Sequence, residues 1–302
     1  VSDNSPILAG ETGFDSVLAF AIPERNARGR IVRLGPLLDT VLSAHDYPAA
    51  IRHLLAEALV IAALAGSLLK DQEAQLTIQA QTDGGIVELL VCDYRQGELR
   101  GYVRHDAERL AGLGANPSLY ALFGKGFLAV TFDLAASKQR YQGIVPIEGD
   151  SLAEAFESYF AQSEQVPTLI RIGVRSTKGE CVAGGMLIQH LAEGEDGRER
   201  LHVRLEHPEW EHVAVMGGSV RHDELVTRDL SLEQIVWRLF HDEGEIRVEQ
   251  EGALIRGCRC DEAYYRSVLL RFPDAELAEM REDDGLISVD CAFCSRLFKI
   301  EI

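Results

Sequence analysis

The sequence predicts an α+β fold in three parts: an N-terminal domain of mixed sheet and helix over residues 1–192, an acidic, helical, metastable linker over 193–251, and a small cysteine-bearing C-terminal domain over 252–302. Three observations predict it. Strand-like segments follow one another with helices interposed irregularly, which suits α+β better than a doubly wound parallel sheet. Negative charge gathers in the middle, where 193–251 carries 7 basic against 16 acidic side chains, a net of −9 in a 302-residue chain that totals −18. Four of the six cysteines fall within the last 45 residues.

In the first part, Pro48 to Lys70 has a proline near its start and then a nearly unbroken apolar surface, the pattern of a helix buried on most sides. Leu76, Ile78 and Ala80 alternate with polar neighbours, Gly84-Gly85 supplies a turn, and Ile86 to Cys92 returns, which reads as a hairpin. Further strands are expected over Leu99–Arg104, Phe127–Phe132, Tyr141–Val145 and Leu169–Val174. Between the last two, Ser151 and Glu154 have capping-box spacing, and Leu152, Ala155, Phe156, Tyr159 and Phe160 form the apolar face of a helix that stops before Pro167. Gly184-Gly185 and Gly124-Lys125-Gly126 read as turn glycines, because neither completes a phosphate-loop pattern.

In the middle part, Ser231 and Gln234 repeat the capping box, and Leu232, Ile235, Val236, Leu239 and Phe240 recur at helical spacing. An apolar stripe in so acidic a segment has to dock elsewhere, so this helix is expected to cover another apolar surface and to come off it when conditions change. Those five residues are the face that such an opening would expose. The segment also carries five of the nine histidines (His202, His207, His212, His222 and His241), at spacings that match no compact metal motif.

Composition narrows the function. With 46% hydrophobic and 26% charged residues, the chain supports a sizeable core. A net charge of −18 repels phosphate backbones and anionic bilayers, so neither nucleic acid nor membrane is an expected partner. The longest uncharged apolar stretch, Ala58 to Leu69, has 12 residues, short of the roughly 20 that span a bilayer. The start, Val1-Ser2-Asp3-Asn4, shows neither the basic residues nor the apolar run of a signal peptide, and the expected compartment is the cytoplasm. No nucleophile elbow or kinase signature is present, and no enzymatic activity is expected.

The chemistry sits at the C-terminus. Cys258-Arg259-Cys260 is followed by 30 residues and then Cys291-Ala292-Phe293-Cys294. Zinc takes about four soft ligands in a tetrahedron, and each closely spaced pair delivers two thiolates, so one Zn2+ is the expected cofactor in the reduced state. Helices over Asp261–Leu270 and Asp274–Arg281, with a turn at Gly285 into Leu286–Asp290, are expected to bring the pairs together. A region of about 50 residues buries little surface and depends on its metal. Oxidation of the thiolates would release the metal, unfold the region and expose what it covers. Cys291 and Cys294 can bridge readily, and Cys258 and Cys260 with a bent backbone. A permanent zinc-ribbon adaptor for a basic partner and a thiol oxidoreductase using Cys291 and Cys294 are the competing readings. Cys92, in an apolar run, reads as a core thiol, and Cys181, near a turn and open to exposure, as a passive one.

Several motifs appear in a fixed order: His45-Asp46-Tyr47-Pro48, Arg140-Tyr141-Gln142-Gly143, Ser163-Glu164-Gln165-x-Pro167-Thr168, Ala183-Gly184-Gly185-Met186-Leu187, Trp237-Arg238-Leu239 and the two cysteine pairs. With them the chain resembles the 33 kDa heat-shock protein family of redox-regulated holdase chaperones over most of its length. The resemblance implies that Cys258, Cys260, Cys291 and Cys294 are zinc ligands and redox sensors that form disulfides within each pair. It also implies that oxidation unfolds switch and linker, that the exposed apolar surface holds unfolding client proteins without ATP, and that the oxidised form is a homodimer. One departure stands out. Asp261-Glu262-Ala263-Tyr264 follows the first pair where the family usually shows a serine and then a Glu-Arg pair, and the two carboxylates are expected to raise the thiol pKa values against Arg256 and Arg259.

Overall fold

The structure, a computed structural model, describes residues 13–70, 73–134, 139–177, 180–191 and 207–302. The N-terminal part runs β1 (Ser16–Ile22), β2 (Ala27–Leu34), α1 (Pro36–Leu42), α2 (Ala49–Gly66), β3 (Gln75–Thr82), β4 (Val87–Arg95), β5 (Glu98–His105), α3 (Ala107–Ala111), α4 (Leu119–Phe123), β6 (Gly126–Leu134), β7 (Gln139–Pro146), α5 (Leu152–Tyr159), β8 (Thr168–Thr177) and β9 (Glu180–His190). The acidic segment supplies α6 (Pro208–Gly218), α7 (His222–Val226), α8 (Leu232–Phe240) and most of β10 (Arg247–Ala253). The chain ends with β11 (Ile255–Arg256), α9 (Glu262–Leu269), α10 (Asp274–Met280), β12 (Ile287–Asp290) and β13 (Leu297–Ile300).

The strands form a five-stranded sheet in the order β10-β1-β2-β9-β8, a six-stranded sheet β11-β5-β4-β3-β6-β7 and a small β12-β13 pair. The fold is α+β, as the irregular alternation of strand and helix predicts. Helix α2 packs on strands of both large sheets and is the filling between them. Its sequence explains this: the 18 residues, of mean hydropathy 1.6 despite Arg52 and Glu57, are long and apolar enough by composition to cross a bilayer, and 78% of them are buried here as a core helix. The main core, including Leu55, Leu59, Ile78, Leu90, Phe156 and Leu187, surrounds it.

A second core lies on the opposite side of the five-stranded sheet. Leu18, Phe20, Ile31, Met186 and Ile188 project there, beneath Val213 and Leu225 and the whole apolar stripe of α8. Two glycines let the covering segment come close. A Cβ on Gly173 would lie 2.3 Å from the His222 carbonyl oxygen, and one on Gly184 2.2 Å from that of Leu225, so only glycine lets α7 rest its backbone on β8 and β9. Gly184-Gly185 therefore lies inside a strand and not in the turn that the sequence suggests. Cys181 likewise is in β9 and fully buried, with its N–H donating to Asp39 Oδ1 at 2.9 Å. Cys92 is buried in β4 as expected, and burial pushes both thiols' pKa values up.

Candidate functional site

Both cysteine pairs sit in short loops fixed at their ends. Strand β11 pairs in parallel with β5, Ile255 opposite Glu98 and Arg256 opposite Leu99, and the Gly257 N–H extends the ladder to the Leu99 carbonyl at 2.9 Å. Cys258 and Cys260 follow at once. Cys291 to Cys294 make the tight turn between β12 and β13: the N–H groups of Cys294 and Ser295 donate to the Cys291 carbonyl at 3.2 and 2.8 Å, with Ser295 in the left-handed region at φ 55°. Asp261 caps α9 by accepting from the Ala263 N–H at 3.0 Å.

The loops converge so that all four Sγ atoms lie within 4.8 Å of one another. Cys258 is 3.4 Å from Cys260 and 3.6 Å from Cys291, and Cys260 is 3.6 Å from Cys294. A tetrahedron of thiolates about 2.3 Å from a central ion has edges of about 3.8 Å, so the donor set fits a four-coordinate metal centre in both chemistry and size. Burial first, and then the neighbouring thiols, push Cys258 up to about 12 against a backbone N–H that lowers it. Burial alone would also raise Cys291, but the Tyr265 hydroxyl and the backbone N–H groups of the turn outweigh it and bring that thiol down to about 7. The carboxylates that follow the first pair are otherwise engaged, Asp261 at the helix cap and Glu262 in a pair with Arg266 at 3.3 Å.

The apolar core around this cluster is small: Leu269, Leu277, Ile287, Phe298 and Ile300 beside the buried Cys291. The unit also leans on the N-terminal domain. The Phe293 ring meets Tyr102 edge-on at 4.9 Å, and the Arg100 guanidinium lies 4.0 Å from the Phe293 centroid. Asp93 holds Arg100 at 2.6 Å and faces Arg259 at 3.7 Å. Below α1, His45 Nε2 lies 2.8 Å from the Ala292 carbonyl oxygen, and the Ser295 hydroxyl donates to the Ala44 carbonyl at 2.6 Å. Sequence reasoning missed Phe293, Tyr102, Arg100 and His45 as contacts of the thiol unit. Tyr102 and Arg100 lie in an ordinary strand, His45 and Phe293 in motifs that say nothing of this contact, and only the fold brings the four together.

The stripe of α8 lies elsewhere. Leu232, Ile235, Val236, Leu239 and Phe240 are all buried against the five-stranded sheet, with Phe240 6.0 Å from Phe20 between ring centroids. The capping box is complete: Ser231 Oγ accepts from the Gln234 N–H at 3.2 Å, and Gln234 Oε1 accepts from the Ser231 N–H at 2.8 Å. Charge fastens the acidic segment to the few basic residues it meets. Arg25 pairs with Glu209 and, at 2.9 Å, with Glu243, which also meets His212 at 2.8 Å. Among the described residues, the histidines join no metal-binding cluster; His202 lies outside the described residues.

Comparison with known proteins agrees with this arrangement. The profile of the Hsp33 protein family matches residues 15–301. The 33 kDa chaperonin of Caulobacter vibrioides is 41% identical over 304 aligned positions, covering 97% of this chain and 98% of its own. That of Serratia proteamaculans is 32% identical over 267, covering 88% and 85%. The crystal structure of the 33 kDa chaperonin from Thermotoga maritima matches with a TM-score of 0.78 at 22% identity over 95% of each chain, a likeness of fold. With an antiparallel and a mixed sheet around a buried helix, four converging C-terminal thiols and a match over nearly its whole length, the chain belongs to the Hsp33 family of chaperones.

Proposed function

We propose that the protein is an oxidant-activated, ATP-independent holdase of the cytoplasm, with no catalytic activity and with neither nucleic acid nor membrane as a partner. In the reduced state Cys258, Cys260, Cys291 and Cys294 hold one zinc ion. Bound there, the metal supplies cross-linking: it joins two loops 30 residues apart in a unit whose own core is too small to hold them. An oxidant such as peroxide, itself reduced to water, takes two electrons from each pair, Cys258 with Cys260 and Cys291 with Cys294, as the two disulfides form and the zinc ion is released. The unit then unfolds, and β11, β10 and α8 lose their anchorage in turn.

The observation that carries this reading is the burial of the α8 stripe on an apolar sheet face by a segment of net charge −9. Such a cover is held by packing and a few ion pairs, and its removal uncovers two apolar surfaces at once, its own and that of Leu18, Phe20 and Ile188. Unfolding client chains bind there at roughly 25 cal/mol per Å² of buried apolar area, with no nucleotide involved. The oxidised form is expected to be a homodimer. Zinc content and suppression of client aggregation, measured before and after peroxide at elevated temperature, test the reading. Full suppression by the reduced, zinc-loaded form would sink it and favour a permanent adaptor.

A further inference from the structure

We propose that the outer face of the six-stranded sheet is a second client-docking surface, one that takes extended, uncharged, aromatic-bearing segments, and that Phe293 occupies one end of it while the cysteine unit is docked. This rests on the holdase reading above and adds to it a surface that α8 does not touch.

The register defines the face. Val103, Leu90, Ile78 and Val130 turn inward to the main core. On the other side one row runs Tyr102, Val91, Gln79, Ala129, Ile144 across five strands, and the next runs Arg104, Leu89, Gln81, Phe127, Pro146. Neither row contains an acidic side chain, in a protein whose net charge is −18. At the far edge Phe127 and Ile144 are each 59% exposed. Along these two rows an unfolding segment meets amides, aliphatic carbons and rings, with charge only at one end, where Arg104 pairs with Glu88 at 2.7 Å.

The near edge identifies the occupant. Phe293 is an aromatic side chain carried by a turn rather than by a regular element, and it lies against Tyr102 and Arg100 of this same face through ring-edge and cation–π contacts. The face therefore already accepts an aromatic residue from irregular chain. When the cysteine unit leaves, Tyr102 and Arg100 are freed for the aromatic residues of a client, and the strip becomes continuous from Tyr102 to Ile144.

The test uses the full-length oxidised protein and a fluorescent, permanently unfolded probe, reduced and carboxamidomethylated lysozyme. Phe127→Ser/Ile144→Ser, at two exposed positions, is expected to raise the probe Kd about tenfold. Gln79→Glu, which keeps size and puts a charge in the middle of the strip, is expected to raise it severalfold with thermal stability unchanged. If wild type binds the probe and both variants bind it equally well, the surface assignment is wrong while the holdase reading stands. If oxidised wild type does not bind, the holdase reading falls and the surface with it. Variants that are monomeric where oxidised wild type is dimeric would reassign the face to a second copy of the chain.

Discussion

Arg33, inside β2, donates from Nε to the Leu225 carbonyl oxygen at the end of α7, 2.9 Å away. Its Nη1 reaches the Leu230 carbonyl at 2.9 Å and its Nη2 that of Glu224 at 3.4 Å, while the side chain is buried. These partners are carbonyls and not a carboxylate, and burial, then the nearby Arg175, pushes its pKa down to about 10. The acidic segment is thus clamped by a cation that itself has been taken out of water. Arg33→Ala leaves three carbonyls without their donor and is expected to cost about 1–3 kcal/mol locally. Hydrogen exchange over 222–240 should quicken about tenfold or more, with α2 unaffected; unchanged protection would mean that the clamp contributes nothing.

Phe293→Ala removes the ring between Tyr102 and Arg100 and leaves the four sulfurs in place. Zinc stoichiometry should persist, while docking weakens by about 1 kcal/mol, the worth of an aromatic pair. The rate at which peroxide oxidises the thiols at a fixed temperature should rise severalfold. Equal rates in the variant and wild type would show that docking does not govern access to the thiols.

Cys260→Ser and Cys291→Ser each break the four-thiolate set. Reduced wild type should bind one zinc, and each variant should lose most of its affinity and melt its C-terminal unit at lower temperature. Metal analysis and calorimetry check this, and full affinity in either variant would exclude the assignment.

Glu57, in α2, accepts from the Ala153 N–H at 3.1 Å, and burial pushes its carboxyl up to about 7 against an ordinary value of 4.5. The folded state therefore holds a proton that the unfolded state has given up. The stabilisation is complete below about pH 4.5 and is lost as pH rises through about 7, a difference on the order of 3 kcal/mol. Glu57→Gln keeps an acceptor for Ala153 and removes the titration. Urea melts should find the variant more stable than wild type at pH 8 and close to it at pH 5; equal differences at both pH values would mean that Glu57 does not titrate in this way.

Ile235→Ser/Leu239→Ser addresses the α8 stripe. Docking should loosen, so that the reduced protein opens at lower temperature, while each fully oxidised molecule holds clients less well. Undiminished holding by a soluble, folded double variant would remove α8 from the client surface.

What could be read from the sequence had local causes. Ser231 and Gln234 cap α8 reciprocally because the box spacing dictates it, and the two cysteine pairs meet because each loop delivers two sulfurs. Strand β10 shows no apolar alternation that would mark it in the sequence; its backbone pairing with β1 orders it. Strand β2 carries Arg28, Arg30 and Arg33, charges that mask a strand until their partners are known: Gln189, Glu251 and the α7 carbonyls. Gly184 reads as a turn until α7 is seen to need its missing Cβ. The contacts of Phe293 and His45 are pairings far apart in sequence, which no window of residues contains.

Leu254 is the single residue between β10 and β11, and with it the chain passes from one large sheet to the other. Its N–H donates to the Asp15 carbonyl at 2.6 Å on one side, and the next residue's to that of Gly97 at 3.0 Å on the other. Along the chain, a disturbance that begins at Cys258 reaches α8 through this crossing, beside the contacts that the cysteine unit makes with Tyr102, Arg100 and His45. Activation should therefore show a lag between loss of the thiols and appearance of holding activity. Stiffening or loosening the crossing at Leu254 would set the length of that delay, a timer separate from the chemistry that starts it.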